Sequence, residues 1–128
     1  MPKNNIDIRK LDTVIADLEQ AFIENGIHRE PGLTVNRVAQ YIQHPPYLVS
    51  IAINRIHKKK FNSFINEYRV VDMIEHFKQE TYNKYTIEGL AKNVGFTSLS
   101  SFYETFRRKM NCTPMEYFRA YCDSDSVV

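Results

Sequence analysis

Cysteine, glycine and charge of a single sign are all in short supply in this chain, and each shortage excludes something. The two cysteines, Cys112 and Cys122, are too few and too close in sequence for a disulfide framework, and free thiols suit a reducing compartment. Neither they nor His28, His44, His57 and His76 fall into CxxC or HxxxH spacing, so no metal site is expected. Four glycines leave little material for a phosphate-cradling loop. Paired carboxylates, a Ser-His-Asp order and HExxH are missing too, so the sequence reads as no enzyme and asks for no cofactor. No apolar run approaches the ~20 residues of a membrane span, and the N-terminal segment has no apolar core ahead of a small-residue cleavage site. The expectation is a cytoplasmic protein with no membrane partner.

Seventeen Lys and Arg against fifteen Asp and Glu give a net charge of +2, a value that names no partner by itself. Distribution says more. Residues 55–60 read RIHKKK and 107–109 read RRK, whereas the first thirty residues and the tail DSDSVV carry much of the acid. A basic run is ordinarily a solvated face; these two each close a candidate helix.

What the chain does have is helical periodicity. With 128 residues, 43% of them hydrophobic, it can bury one core or two small ones sharing a helix. Leu11, Val14, Ile15, Leu18 and Phe22 make residues 6–25 a one-sided helix that Gly26 stops. After a turn-rich connector, Ile27 to Gly32, Thr34 caps a short helix carrying Val35, Val38, Ala39 and Ile42. His44-Pro45-Pro46 breaks it, and a next helix from about Pro46 to His57 turns Val49, Ile53 and Ile56 inward. Residues 61 to about 79 contain neither proline nor glycine and read as a linker helix of roughly 27 Å, too densely apolar for a single stripe and suited to packing against both flanking regions.

Past a polar connector, Thr81 to Tyr85, the pattern returns. Ile87, Leu90, Ala91 and Val94 make a short helix, and Gly95 supplies the positive φ of a tight turn. Thr97 and Ser98 cap a helix from about Leu99 with Phe102 and Phe106 inward. Helix, glycine turn, helix is a helix-turn-helix. Thr113-Pro114-Met115-Glu116 forms a capping box opening a last helix to about Tyr121, followed by a disordered tail. Thr34, Val35, Val38, Ala39 and Ile42 match Thr86, Ile87, Leu90, Ala91 and Val94 at a shift of 52, and Val49, Ile53 and Phe64 match Phe102, Phe106 and Tyr117 at 53. The chain is a tandem repeat. The organisation expected is all-α: lead-in helix and connector (1–30), first helix-turn-helix (31–60), linker helix (61–80), second helix-turn-helix with closing helix (81–121) and tail (122–128).

From about Leu33 to Tyr121 the chain resembles the DNA-binding domain of the AraC/XylS family of bacterial transcription regulators. The resemblance is carried by Ile87-Glu88-Gly89-Leu90-Ala91, Val94-Gly95-Phe96, Phe102-Tyr103-Glu104-Thr105-Phe106-Arg107-Arg108 and Thr113-Pro114-Met115-Glu116-Tyr117. The first copy is similar more loosely, through Leu33-Thr34, Val38-Ala39, Pro45, Ser50, Ile53-Asn54 and Tyr68-Arg69. Three departures stand out. Gln43 and Lys58 replace glycines usual in the first copy, whose turns are therefore expected to be built differently. Glu104 replaces a usual arginine, and Ile51 a usual polar reader.

The resemblance implies two recognition helices, one per copy, reading successive major grooves of double-stranded DNA. Tyr47, Ser50, Ile51 and Asn54, with Leu99, Ser100, Tyr103 and Glu104, are the expected base contacts. Thr34, Lys58, Lys59, Lys60, Arg69, Thr86, Arg107, Arg108 and Lys109 are the expected phosphate contacts. A carboxylate at Glu104 accepts from cytosine N4 but needs pairing, with Arg107 or Arg108, to sit near phosphates, and Ile51 has only a thymine methyl to touch. A sensor or receiver domain outside this chain is a further partner the family implies, and RNA polymerase is a candidate partner under the alternative that follows. The alternative is a helical protein-interaction module of the same fold with weak or non-specific DNA binding, which the low net charge and Glu104 favour.

Overall fold

The structure is a computed structural model and describes residues 7–79 and 86–126; the connector expected at Thr81 to Tyr85 lies outside them. Seven α-helices follow in order: α1 (Ile8–Asn25), α2 (Val35–Ile42), α3 (Pro46–His57), α4 (Phe61–Gln79), α5 (Ile87–Asn93), α6 (Leu99–Met110) and α7 (Pro114–Ser126). A single 3-10 turn, Ile27–Arg29, follows α1, and no strand occurs among the described residues. The chain divides into two compact units, one ending at Ile65 and the other starting at Asn66.

In the first unit, the Asp7 carboxylate caps α1 by accepting from the Arg9 amide, and Gly26 ends it in the left-handed region at φ 61°. The buried face of α1 is Leu11, Val14, Ile15, Leu18, Ala21 and Phe22, each large member worth about 1.5–3 kcal/mol of burial. That face packs mainly on α3 and also on α2. From α2 come Val38 and Ala39, and from α3 Leu48, Val49, Ala52 and Ile53, while the expected Ile56 is only half-buried. One polar clamp reinforces the packing: His44 Nε2 lies 2.7 Å from Asp17 Oδ2, fastening the α2–α3 turn to α1.

The second unit has a ring-rich core. Phe77 of α4 packs on Phe118 of α7 with the rings tilted by 33° and 4.0 Å between centroids. Phe102 and Phe106 of α6 are fully buried, with Phe96 edge-on to Phe102 and Tyr117 edge-on to Phe106. Val70, Met73, Ile74, Leu90, Ala91 and Val94 fill the spaces between. The capping box forms as expected: Thr113 N–H donates to Glu116 Oε1 at 2.9 Å and Glu116 N–H to Thr113 Oγ1 at 3.1 Å. The helix it opens does not stop at Tyr121. Cys122 to Ser126 contain neither proline nor glycine, and the backbone stays helical to Ser126 where a disordered tail was expected.

The duplication is visible atom by atom. Thr34 Oγ1 accepts from the Arg37 amide and Thr86 Oγ1 from the Gly89 amide, both three residues on. His44 N–H bonds back to Ala39 O and Phe96 N–H to Ala91 O, the six-residue closure of a left-handed helix end. The left-handed corner falls on Gln43 in the first copy (φ 62°) and on Gly95 in the second (φ 107°). After the second helix of each pair it falls on Lys58 (φ 56°) and Asn111 (φ 61°). The turns of the first copy are thus built in the same way as those of the second. An L-residue enters this region at a cost of about 1–2 kcal/mol, which the surrounding packing absorbs.

Candidate nucleic-acid interface

In each copy the second helix of the pair turns one face to the core and the other outward. On α3, Val49 and Ile53 are buried while Tyr47, Ser50 and Asn54 are exposed and Ile51 is half-buried. On α6, Phe102, Thr105 and Phe106 are buried while Leu99, Ser100, Tyr103, Glu104 and Arg107 are exposed. Ser98, rather than Thr97, is the cap of α6, accepting from the Ser101 amide at 3.3 Å. The outward sets follow the three- and four-residue spacing of one helix face, so each forms a continuous stripe.

The cations expected at phosphates fall into three groups. Lys58 and Lys60 are exposed just beyond α3, with Lys59 half-buried between them. Lys60 and Thr34 line a common open groove of about 400 Å³ with Leu33, Val35, Phe61 and Asn62, which brings two of the expected phosphate contacts together at the start of α2. The Thr34 and Thr86 hydroxyls are both occupied as caps, so one of the four orphan amides of each helix start is already satisfied.

At the other end of α6, Arg107 and Arg108 are exposed in the last turn. Arg108 Nη1 donates to Glu104 Oε1 at 3.3 Å, which gives Glu104 the pairing its position requires. The pair is solvent-facing on both sides, with the Glu104 side chain 76% exposed, so it orients the groups more than it stabilises the fold. Lys109 turns away instead, its Nζ 3.4 Å from Glu67 Oε1 on α4.

Arg69 corrects the expectation drawn from the family. It is 8% exposed, donates to Asn66 Oδ1 at 3.0 Å and lies over the Phe96 ring, 5.7 Å from its centroid. Burial pulls its guanidinium below its ordinary value, because the charged form loses solvation. A side chain so held braces α4 against the α5–α6 turn and is not offered to a phosphate. The His44–Asp17 clamp is what the sequence reading missed: the partners stand 27 residues apart and neither carries a local signal.

Among the described residues no helix is long and apolar enough to cross a membrane, and no three His, Cys, Asp or Glu gather as metal ligands. The description "Helix-turn-helix domain" matches residues 38–120. Regulatory protein PocR of Salmonella typhimurium is 28% identical over 90 residues, 70% of this chain; the chain spans only 29% of that protein's length. A solved structure of a protein of unknown function from Listeria innocua has the same fold, with a TM-score of 0.67 at 20% identity over 83% of this chain and 95% of that one. With both helix-turn-helix pairs and their outward stripes in place, the family match over residues 38–120 makes the chain an AraC-type helix-turn-helix DNA-binding domain.

Proposed function

We propose that the chain binds duplex DNA sequence-specifically, with α3 and α6 each entering a major groove and the two sub-sites one helical turn apart, about 34 Å. Base edges are met by Tyr47, Ser50, Ile51 and Asn54 from α3 and by Leu99, Ser100, Tyr103 and Glu104 from α6. Lys58, Lys59, Lys60, Arg107 and Arg108 meet phosphates, together with amides at the helix starts by Thr34 and Thr86. Lys109 joins them on releasing Glu67. The observation that carries the reading is that each outward stripe is exposed, Ile51 alone being half-buried, and ends in cations.

The test separates the two kinds of contact. Binding should weaken steeply with salt, with a slope near the number of phosphates neutralised. Arg108→Ala should lower affinity for all duplexes alike and reduce that slope by about 1, whereas Ser50→Ala and Asn54→Ala should change preference among sequences. Identical profiles for both classes would refute these roles. A protein-interaction module with little DNA binding is the second reading, favoured by the exposed Glu104 carboxylate and the net charge of +2. It predicts little response to duplex at any salt. A sensor or receiver domain beyond this chain and a cytoplasmic setting belong to the regulator reading, and RNA polymerase as a partner belongs to the second.

A further inference from the structure

The first two turns of a recognition helix are the part that reaches base edges, and there neither α3 nor α6 carries a cation. The first arginine or lysine of α3 is Arg55, its tenth residue, and that of α6 is Arg107, its ninth. Arginine or lysine on guanine O6 and N7 is the commonest specific contact in the major groove, and these positions have no such group to give. In its place stand large apolar side chains: Tyr47, 63% exposed, and half-buried Ile51 one turn apart on α3, and Leu99 (39%) and Tyr103 (42%) one turn apart on α6. Their solvent-facing surfaces complete neither core. Single apolar groups set between Ser50, Asn54, Ser100 and Glu104 do not make the continuous patch a protein partner would cover.

The C5-methyl of thymine is the apolar feature of the major-groove floor. We propose that both helices select their sub-sites mainly through thymine methyl groups, seated against Tyr47 and Ile51 in one and Leu99 and Tyr103 in the other. This rests on the reading above that α3 and α6 enter the major groove, and it deepens that reading by naming the base feature recognised. Asn54 and Glu104 then add polar selectivity for adenine and cytosine.

The test replaces thymine by uracil, which keeps pairing and phosphate charge and removes the methyl alone. A duplex recovered by selection from a random pool is resynthesised with uracil throughout, and affinities of the intact chain for both forms are compared, with a scrambled duplex in both forms correcting for stiffness. Each contacted methyl should be worth about fourfold, so the selected site should bind at least tenfold more weakly as uracil. Ile51→Ala and Leu99→Ala should each shrink the thymine-over-uracil ratio by about fourfold, a change that partial unfolding, which lowers both affinities alike, does not produce. Strong specific binding with equal affinity for both forms would overturn the inference and leave the DNA-binding reading intact. Equal affinity together with alanine variants that bind unchanged would overturn it in favour of a protein-docking role for these side chains. Failure to bind any duplex would overturn both.

Discussion

The two helix-turn-helix pairs share the threonine cap of their first helix, their left-handed corners and nearly equal helix lengths, yet each recruits its covering helix from the opposite side in sequence. The first pair lies under α1, which precedes it, and its core is largely aliphatic: Leu11, Val14, Leu18, Val38, Val49 and Ile53. The second is covered by α7, which follows it, and its core is largely aromatic: Phe77, Phe96, Phe102, Phe106 and Phe118. A two-helix unit buries one face only, so a third element is needed, and the difference teaches that its origin and its chemistry are both free. What stays fixed is the pair of helix ends that aims the reading helix.

The largest effects should come from the cores. Phe102→Ala or Phe106→Ala should cost about 3–5 kcal/mol and unfold the second unit. Ile53→Ala should cost about 2–5 kcal/mol and strike the first. Amide hydrogen exchange resolved by residue distinguishes the two; equal loss of protection in both units from either change would erase the contrast drawn above. Next in size is Arg69→Ala, expected to destabilise the second unit by about 1–3 kcal/mol through loss of the hydrogen bond to Asn66 and the contact over Phe96, while the salt slope of DNA binding stays unchanged. A lower slope would return Arg69 to the phosphate contacts.

The corners should respond with opposite signs. Gly95→Ala forces an L-residue to φ 107° and should cost about 1–3 kcal/mol. Gln43→Gly and Lys58→Gly relieve left-handed L-residues and should each stabilise by about 0.5–1 kcal/mol, the relief exceeding the entropy glycine adds to the unfolded chain. Urea midpoints of the three variants check this.

The smallest effect concerns the caps in acid. Side-chain and backbone bonds from Arg9 hold Asp7 below its ordinary value of 3.8, and backbone and side-chain bonds with Thr113 hold Glu116 below 4.5. Both folded values are depressed, so the stabilisation is present above the ordinary value and is lost as the pH falls through the lowered one. Helicity at the starts of α1 and α7 should therefore fade in acid below those values, and Glu116→Gln should flatten the profile for α7 alone.

Much of the fold was legible because its signals are local. Threonine caps, the capping box, Gly26 and the 3.6-residue spacing of apolar side chains place the helix bounds within a residue or two, except the end of α7, which runs five residues past the expected Tyr121, and the shift of 52 to 53 exposes the duplication. What stayed hidden depends on distant partners or on small energies. Gln43 and Lys58 adopt glycine-like corners because the strain is affordable, and nothing in their side chains announces it. Arg69 is buried against Phe96, 27 residues further along the chain, a contact that neither its charge nor the family resemblance announced. At the interface, the positions of the outward stripes were readable from periodicity and a partner for Glu104 was expected in Arg107 or Arg108, while the choice of Arg108 and the withdrawal of Lys109 toward Glu67 needed coordinates.

The most direct test of the central claim is selection of bound duplexes from a random pool by the intact chain. Two enriched sub-sites with centres about 10–10.5 base pairs apart are predicted, one lost with changes on α3 and the other with changes on α6. A single enriched sub-site, or a pool that returns unenriched, would contradict the account of two reading helices.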